Sequence, residues 1–146
     1  MFDEYIVALV KNYAQPQFLE ITQTVNTLSE ELQILIEDYH ARGQKVAIWG
    51  AGGKGLSVLA AAGISKIDLL VDGDLNKQGL FTPVSHLKVE APSAILSEGI
   101  SAVIITAMAY KEEIMRSLSD DLCFDGDIFV LGHHLHPVDN RKDLAK

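Results

Sequence analysis

The sequence predicts an α/β fold: a doubly wound parallel sheet of about five strands in the order 3-2-1-4-5, preceded by a long N-terminal amphipathic helix. Three observations predict it. Apolar runs at residues 46–49 and 67–71, without polar alternation, flank an Ala- and Leu-rich stretch at 56–62, as strands buried on both faces flank a crossover helix. Between the first run and that helix stand Gly50, Gly52 and Gly55 at the G-x-G-x-x-G spacing, with Asp72 about 20 positions further on. Apolar runs and helical patterns then alternate towards the C-terminus, which favours right-handed crossovers and helices on both faces, a Rossmann-like arrangement.

Taken in order, residues 1–13 carry Phe2, Tyr5, Ile6, Leu9 and Val10, spaced as one face of a short amphipathic helix. Gln15 and Pro16 interrupt it, and a proline suits the opening turn of a second helix. Over residues 17–42 the positions Phe18, Ile21, Val25, Leu28, Leu32, Leu35 and Tyr39 form a heptad seam, stopped by Gly43. Glu30, Glu31, Glu37 and Asp38 lie off the seam, while Ile34 and Ile36 widen it. Two readings stay open: the helix caps its own sheet, or it pairs with another helix in a homodimer through residues 17–42. The chain then divides into a helical segment 1–43, a core 44–138 and a charged tail 139–146.

The glycine turn opens the core. Gly50 permits the tight strand-to-helix turn, Gly52 keeps a Cβ away from any phosphate, and Gly55 lets the helix lie close to the strand. Free N–H groups at the helix start then make an anion site, and Asp72 would face the ribose of a dinucleotide. The competing reading is that the glycines only pack a helix tightly onto a sheet. Residues 73–84 read as a loop, 86–89 as a short strand, and 91–96 as a helical turn with Ser93 near its start. Residues 101–106 form a buried strand, and 111–119 a helix with Ile114, Met115 and Leu118 inward and Glu112 and Glu113 at its positive end. Residues 127–131 form the last strand and 132–137 a loop. With the first strand central, the switch point falls between the first and fourth strands, where residues 50–55 and 107–110 would meet.

At 146 residues the chain suffices for one domain with its own core. No apolar stretch reaches the ~20 residues that span a bilayer, and Asp3 and Glu4 stand where a signal peptide would be positive. One cysteine, Cys123, excludes an internal disulfide, which makes the cytoplasm the expected location and a packed or half-exposed thiol its expected state. A net charge of −8 argues against a nucleic-acid backbone as partner. The candidate ligand-binding residues are Gly50, Ala51, Gly52, Gly53, Lys54, Gly55, Asp72, Asn76, Lys77, Gln78, Ala107 and Tyr110. Lys54 and Lys77 offer positive charge to an anionic small molecule, Asn76 and Gln78 polar contacts, and Tyr110 a hydroxyl or an aromatic cap. His133, His134 and His136 invite a metal reading, but neighbouring imidazoles on an extended chain point apart and no acidic ligand joins them in the segment.

The stretches IWGAGGKG, VDGDLNKQG and ITAMAYKEEIM resemble the C-terminal domain of bacterial sugar C-methyltransferases that use S-adenosylmethionine. The matching positions are 49–55, 72–79 and 110–114, and the resemblance covers roughly residues 18–130. It implies a Rossmann-like unit preceded by a long helix, folding over a methyltransferase domain and helping to hold a nucleotide-sugar. The methyl donor and catalytic bases would belong to preceding domains, so S-adenosylmethionine is not expected in this chain and a separate methyltransferase subunit is an expected partner. The chain departs from the family pattern at Pro83-Val84 and in the segment Gly132-His133-His134-Leu135-His136, which points to a changed ligand at the sheet edge. The reading that follows is a non-catalytic domain binding a nucleotide or nucleotide-sugar. One alternative is an NAD(P)-dependent oxidoreductase or accessory NAD-binding domain, although no Tyr-x-x-x-Lys pair accompanies the glycines. The other is a helix-mediated assembly protein whose glycine turn stays empty.

Overall fold

A computed structural model describes residues 16–62, 67–83 and 86–138. The helix read at residues 1–13 and the charged tail from 139 onward lie outside the described residues. The elements are α1 (Pro16–Ala41), β1 (Lys45–Trp49), α2 (Gly53–Ala62), β2 (Leu69–Val71), β3 (Val89–Glu90), α3 (Ala94–Ser97), β4 (Ile100–Ile105), α4 (Lys111–Arg116), β5 (Asp127–Leu131) and β6 (Leu135–Val138). They build a six-stranded sheet in the order β3-β2-β1-β4-β5-β6. The first five strands are parallel in the expected order, and β6 is antiparallel to β5.

The sheet is buried on both faces because its central strands are apolar at every position but Lys45 of β1 and Ser101 of β4. Along β1, Val46 and Ile48 pack towards α1 and α2, while Ala47 and Trp49 pack towards α3 and α4. β4 repeats the division with Ala102 and Ile104 on one side and Val103 and Ile105 on the other. This is the pattern that period-two geometry imposes on a doubly covered strand.

The C-terminal half of the α1 seam is absorbed by the chain's own core. Leu28, Leu32, Ile36 and Tyr39 are at most 4% exposed and share a cluster with Val58 and Leu59 of α2. Ile34, on the opposite face, is 68% exposed. Gly43, at φ +72, ends the helix in the left-handed conformation that a residue with a Cβ avoids. The Tyr39 hydroxyl donates to an Asp127 carboxylate oxygen at the start of β5, and the Arg42 guanidinium lies 4.4 Å over the Tyr39 ring. Burial, then the Asp127 partner, pushes the Tyr39 phenol up to about 12.

Several local features differ from the sequence expectation, and the short strand expected at 86–89 forms at Val89–Glu90. β2 begins at Leu69 because Asp68 turns away from the ladder to accept the Val46 N–H at 2.8 Å and to meet His40 Nε2 at 2.7 Å. The helix expected to reach residue 119 keeps α-geometry only to Arg116 and widens into a π-turn, Ser117–Asp121, closed by Leu122 N–H to Ser117 O at 3.0 Å. Residues 132–137, expected to be loop, turn back as β6, pairing Leu131 with Leu135 and Ile128 with Val138. Pro137 is compatible with that ladder because β6 is the sheet edge.

Candidate functional site

The site grows from the carboxyl end of β1. Gly50 adopts φ +129, and its N–H donates to Val71 O at 2.9 Å. Opposite it, at the end of β4, stands buried Thr106. The Thr106 N–H donates to Trp49 O at 3.0 Å, and its hydroxyl lies 3.2 Å from Trp49 O and 3.0 Å from Gly50 O. A Cβ on Gly50 would run into Thr106 Oγ1, and one on Gly55 would stand 2.7 Å from it. Gly50 and Gly55 are therefore demanded by packing against Thr106. Gly52 and Gly53 are different: a Cβ on either meets nothing within 4 Å, and both face a cleft. Their N–H groups have no hydrogen-bond partner among the described residues. They open α2, whose aligned peptide dipoles make that end positive.

Asp72, just past β2, ties this turn to the next loop. One carboxylate oxygen accepts the Ala51 N–H at 2.8 Å, and the other accepts the Asp74 N–H at 2.9 Å. The Lys77 ammonium stands 3.7 Å from the first of these oxygens. Gln78 Nε2 donates to Asp72 O at 2.9 Å, and the Asn76 N–H donates to Asp74 Oδ1 at 2.9 Å. The loop then closes on β3 through Gly79 N–H to Val89 O at 2.8 Å and Val89 N–H to Leu80 O at 2.8 Å.

Beyond Thr106 the chain leaves the sheet through Ala107 and a 3-10 turn, Met108–Tyr110, before α4. Met108 and Tyr110 are 39% and 63% exposed. Between this turn and the glycine turn lies a cleft of about 690 Å³, floored by Trp49 and Thr106 and rimmed by Asp72, Asp74, Lys77 and Glu113. Its volume falls within the range of small-molecule sites, and it occupies the switch point between β1 and β4, where ligands of open α/β sheets bind.

Of the sequence candidates, Gly52, Gly53, Gly55, Asp72, Lys77, Ala107 and Tyr110 line this cleft. Gly50 and Ala51 shape the turn beneath it, whereas Asn76 and Gln78 brace the loop. The Lys54 side chain lies outside the described residues. Sequence reasoning passed over Thr106, Asp74 and Glu113. A hydroxyl closing an otherwise apolar strand, opposite a glycine turn, was the available signal for Thr106.

The histidine segment belongs elsewhere. His134 Nδ1 lies 3.2 Å from Glu31 Oε1 on α1, and Leu135 N–H donates to Glu31 Oε2 at 2.9 Å. The Leu135 N–H, with smaller contributions from His134 and His136, holds the Glu31 carboxyl below its ordinary value. Among the described residues no three potential metal ligands come together. Cys123 is exposed and free.

An open, mostly parallel sheet with a glycine turn and a cleft at its switch point defines a Rossmann-like domain. The family model of the C-methyltransferase C-terminal domain matches residues 10–131, and the chain belongs to that family. Among solved structures, UDP-D-quinovosamine 4-dehydrogenase from Vibrio fischeri is similar at 20% identity, with a TM-score of 0.52 over 66% of this chain and 93% of that one. At that identity the likeness is one of fold. No curated protein matches the chain. Among the described residues no helix is long and apolar enough to cross a membrane.

Proposed function

We propose that this domain binds a nucleotide-type ligand, a nucleotide-sugar in the first place, in the cleft between the glycine turn and the Met108–Tyr110 turn, without catalysing a reaction itself. One observation carries the reading: Gly52 and Gly53, whose N–H groups have no hydrogen-bond partner among the described residues, line an open cleft at the positive end of α2. That combination suits a phosphate or diphosphate. Membership of the C-methyltransferase C-terminal domains supports a sugar-linked nucleotide and a methyltransferase catalytic partner. The dehydrogenase of like fold is named for a UDP-sugar, which agrees with the same ligand class. Gly52, Gly53, Lys54 and Gly55 would hold the phosphates, with Lys77, Ala107 and Tyr110 along the walls.

The spacing Gly50-x-Gly52-x-x-Gly55 with Asp72 also supports NAD(P) as a second candidate. The domain would work in the cytoplasm. A homodimer through residues 17–42 would, where the side chains of α1 are described, use an exposed face such as that of Ile34. Calorimetry on the full chain with UDP-glucose, NAD and S-adenosylmethionine separates the candidates. Binding of UDP-glucose ahead of the other two is expected; binding of S-adenosylmethionine alone, or of none of the three, would overturn the reading.

A further inference from the structure

We propose that Asp72 is the positioning residue of the cleft, fastening its two loops together, and that a bound nucleotide feels it through Ala51 and Lys77 and not as a direct partner of the ribose hydroxyls. The second half of this inference rests on the nucleotide reading above; the first half does not. Asp72 stands at the end of β2, where a carboxylate in an open α/β sheet is ordinarily free to accept from a ribose diol. Here both oxygens are committed to the protein. Oδ2 accepts Ala51 N–H at 2.8 Å with the Lys77 ammonium at 3.7 Å, and Oδ1 accepts Asp74 N–H at 2.9 Å. A carboxylate offers about four acceptor directions; one on each oxygen is taken by the Ala51 and Asp74 N–H groups and the Lys77 ammonium stands beside Oδ2, so a ribose diol would have to share both oxygens with donors already in place. Although Asp72 lines the cleft, its side chain is only 14% exposed.

The bonds join segments 21 residues apart. Ala51 belongs to the turn that presents Gly52 and Gly53, and Asp74 opens the loop braced by Asn76 N–H and Gln78 Nε2. One carboxylate thus fixes the distance between the anion-facing turn and the Lys77 wall. Its negative charge also occupies Ala51 N–H, the first donor of the turn, so that an incoming phosphate meets only the donors after it.

Amide hydrogen exchange on the whole 146-residue chain tests the clamp without a ligand. Ala51 and Asp74 amides are expected to be protected in the wild type and to exchange faster together in Asp72→Asn, whose amide nitrogen confronts one donor with another. Unprotected Ala51 in the wild type, or unchanged exchange in the variant, overturns the clamp. Titration with UDP and 2′-deoxy-UDP tests the ribose half. The wild type is expected to bind both within about threefold, and Asp72→Asn to weaken both equally, by roughly tenfold. A loss confined to UDP makes Asp72 a ribose ligand and overturns that half. Binding of neither nucleotide by the wild type sinks the nucleotide reading and the ribose half with it, while the exchange result still decides the clamp.

Discussion

Thr106 concentrates more consequences in one side chain than any glycine of the turn. Its hydroxyl supplies the hydrogen bond to Gly50 O and occupies the space that Gly50 and Gly55 leave vacant. Thr106→Val keeps the shape and removes the donor, so a buried carbonyl loses its partner at a cost of about 1–3 kcal/mol. Thr106→Ser keeps the donor and loses one methyl, about 1 kcal/mol. Urea denaturation is expected to rank wild type above Ser and Ser above Val; Val equal to wild type would mean the hydroxyl contributes nothing. Tyr39 makes a second residue-scale prediction through its raised phenol. Its folded value of about 12 exceeds the ordinary 10, so the neutral form is favoured by folding. The unfolded chain therefore ionises first. The stabilisation is complete below pH ~10 and is lost as pH rises towards ~12. Tyr39→Phe should flatten that alkaline loss in stability measured against pH, and an identical slope in both proteins would count against the raised phenol.

At the scale of elements, α1 and the β5–β6 hairpin explain each other. The seam at Leu28 and Leu32 was compatible with a partner helix or with the chain's own sheet, because spacing alone specifies an apolar stripe and not what covers it. The described structure buries both residues against α2. Leu32→Asp would place a charge in that core, and loss of cooperative folding by circular dichroism is the expected result. A folded variant that changed only its oligomeric state would instead point to pairing. β6 was illegible for a related reason. Its His136 and Pro137 carry no strand signal, and its stability comes from partners outside the segment, the preceding strand β5 and the Glu31 carboxylate on α1. Glu31 is held below its ordinary 4.5, so its stabilising contribution is present above that value and lost as pH falls through the lower folded value. Acid should therefore raise exchange at the Leu135 amide before the central strands open, and Glu31→Gln should remove the pH dependence of that step.

For the whole molecule, what could be read in the sequence was what local pattern controls. The strand order, the glycine turn and the switch point followed from uninterrupted apolar runs and three glycines, because a strand buried on both faces leaves no other composition. The cleft's inner bracing did not follow. Nothing in the spacing of Asp72, Asp74 and Lys77 says which backbone donors their side chains will meet, since those bonds depend on how two loops converge beyond the sheet. The same convergence localises the last prediction. If a nucleotide-sugar occupies the cleft, amide resonances of Gly52, Gly53, Gly73, Ala107 and Tyr110 should shift on titration with UDP-glucose, because these residues line it. Those of β6, at the far edge of the sheet beyond β5, should stay in place. Ligand at a hundredfold excess over its dissociation constant should also add about 2.7 kcal/mol of stability, read as a higher denaturation midpoint. Shifts centred on the segment Leu135–Val138 instead would move the binding surface to the edge that carries His136.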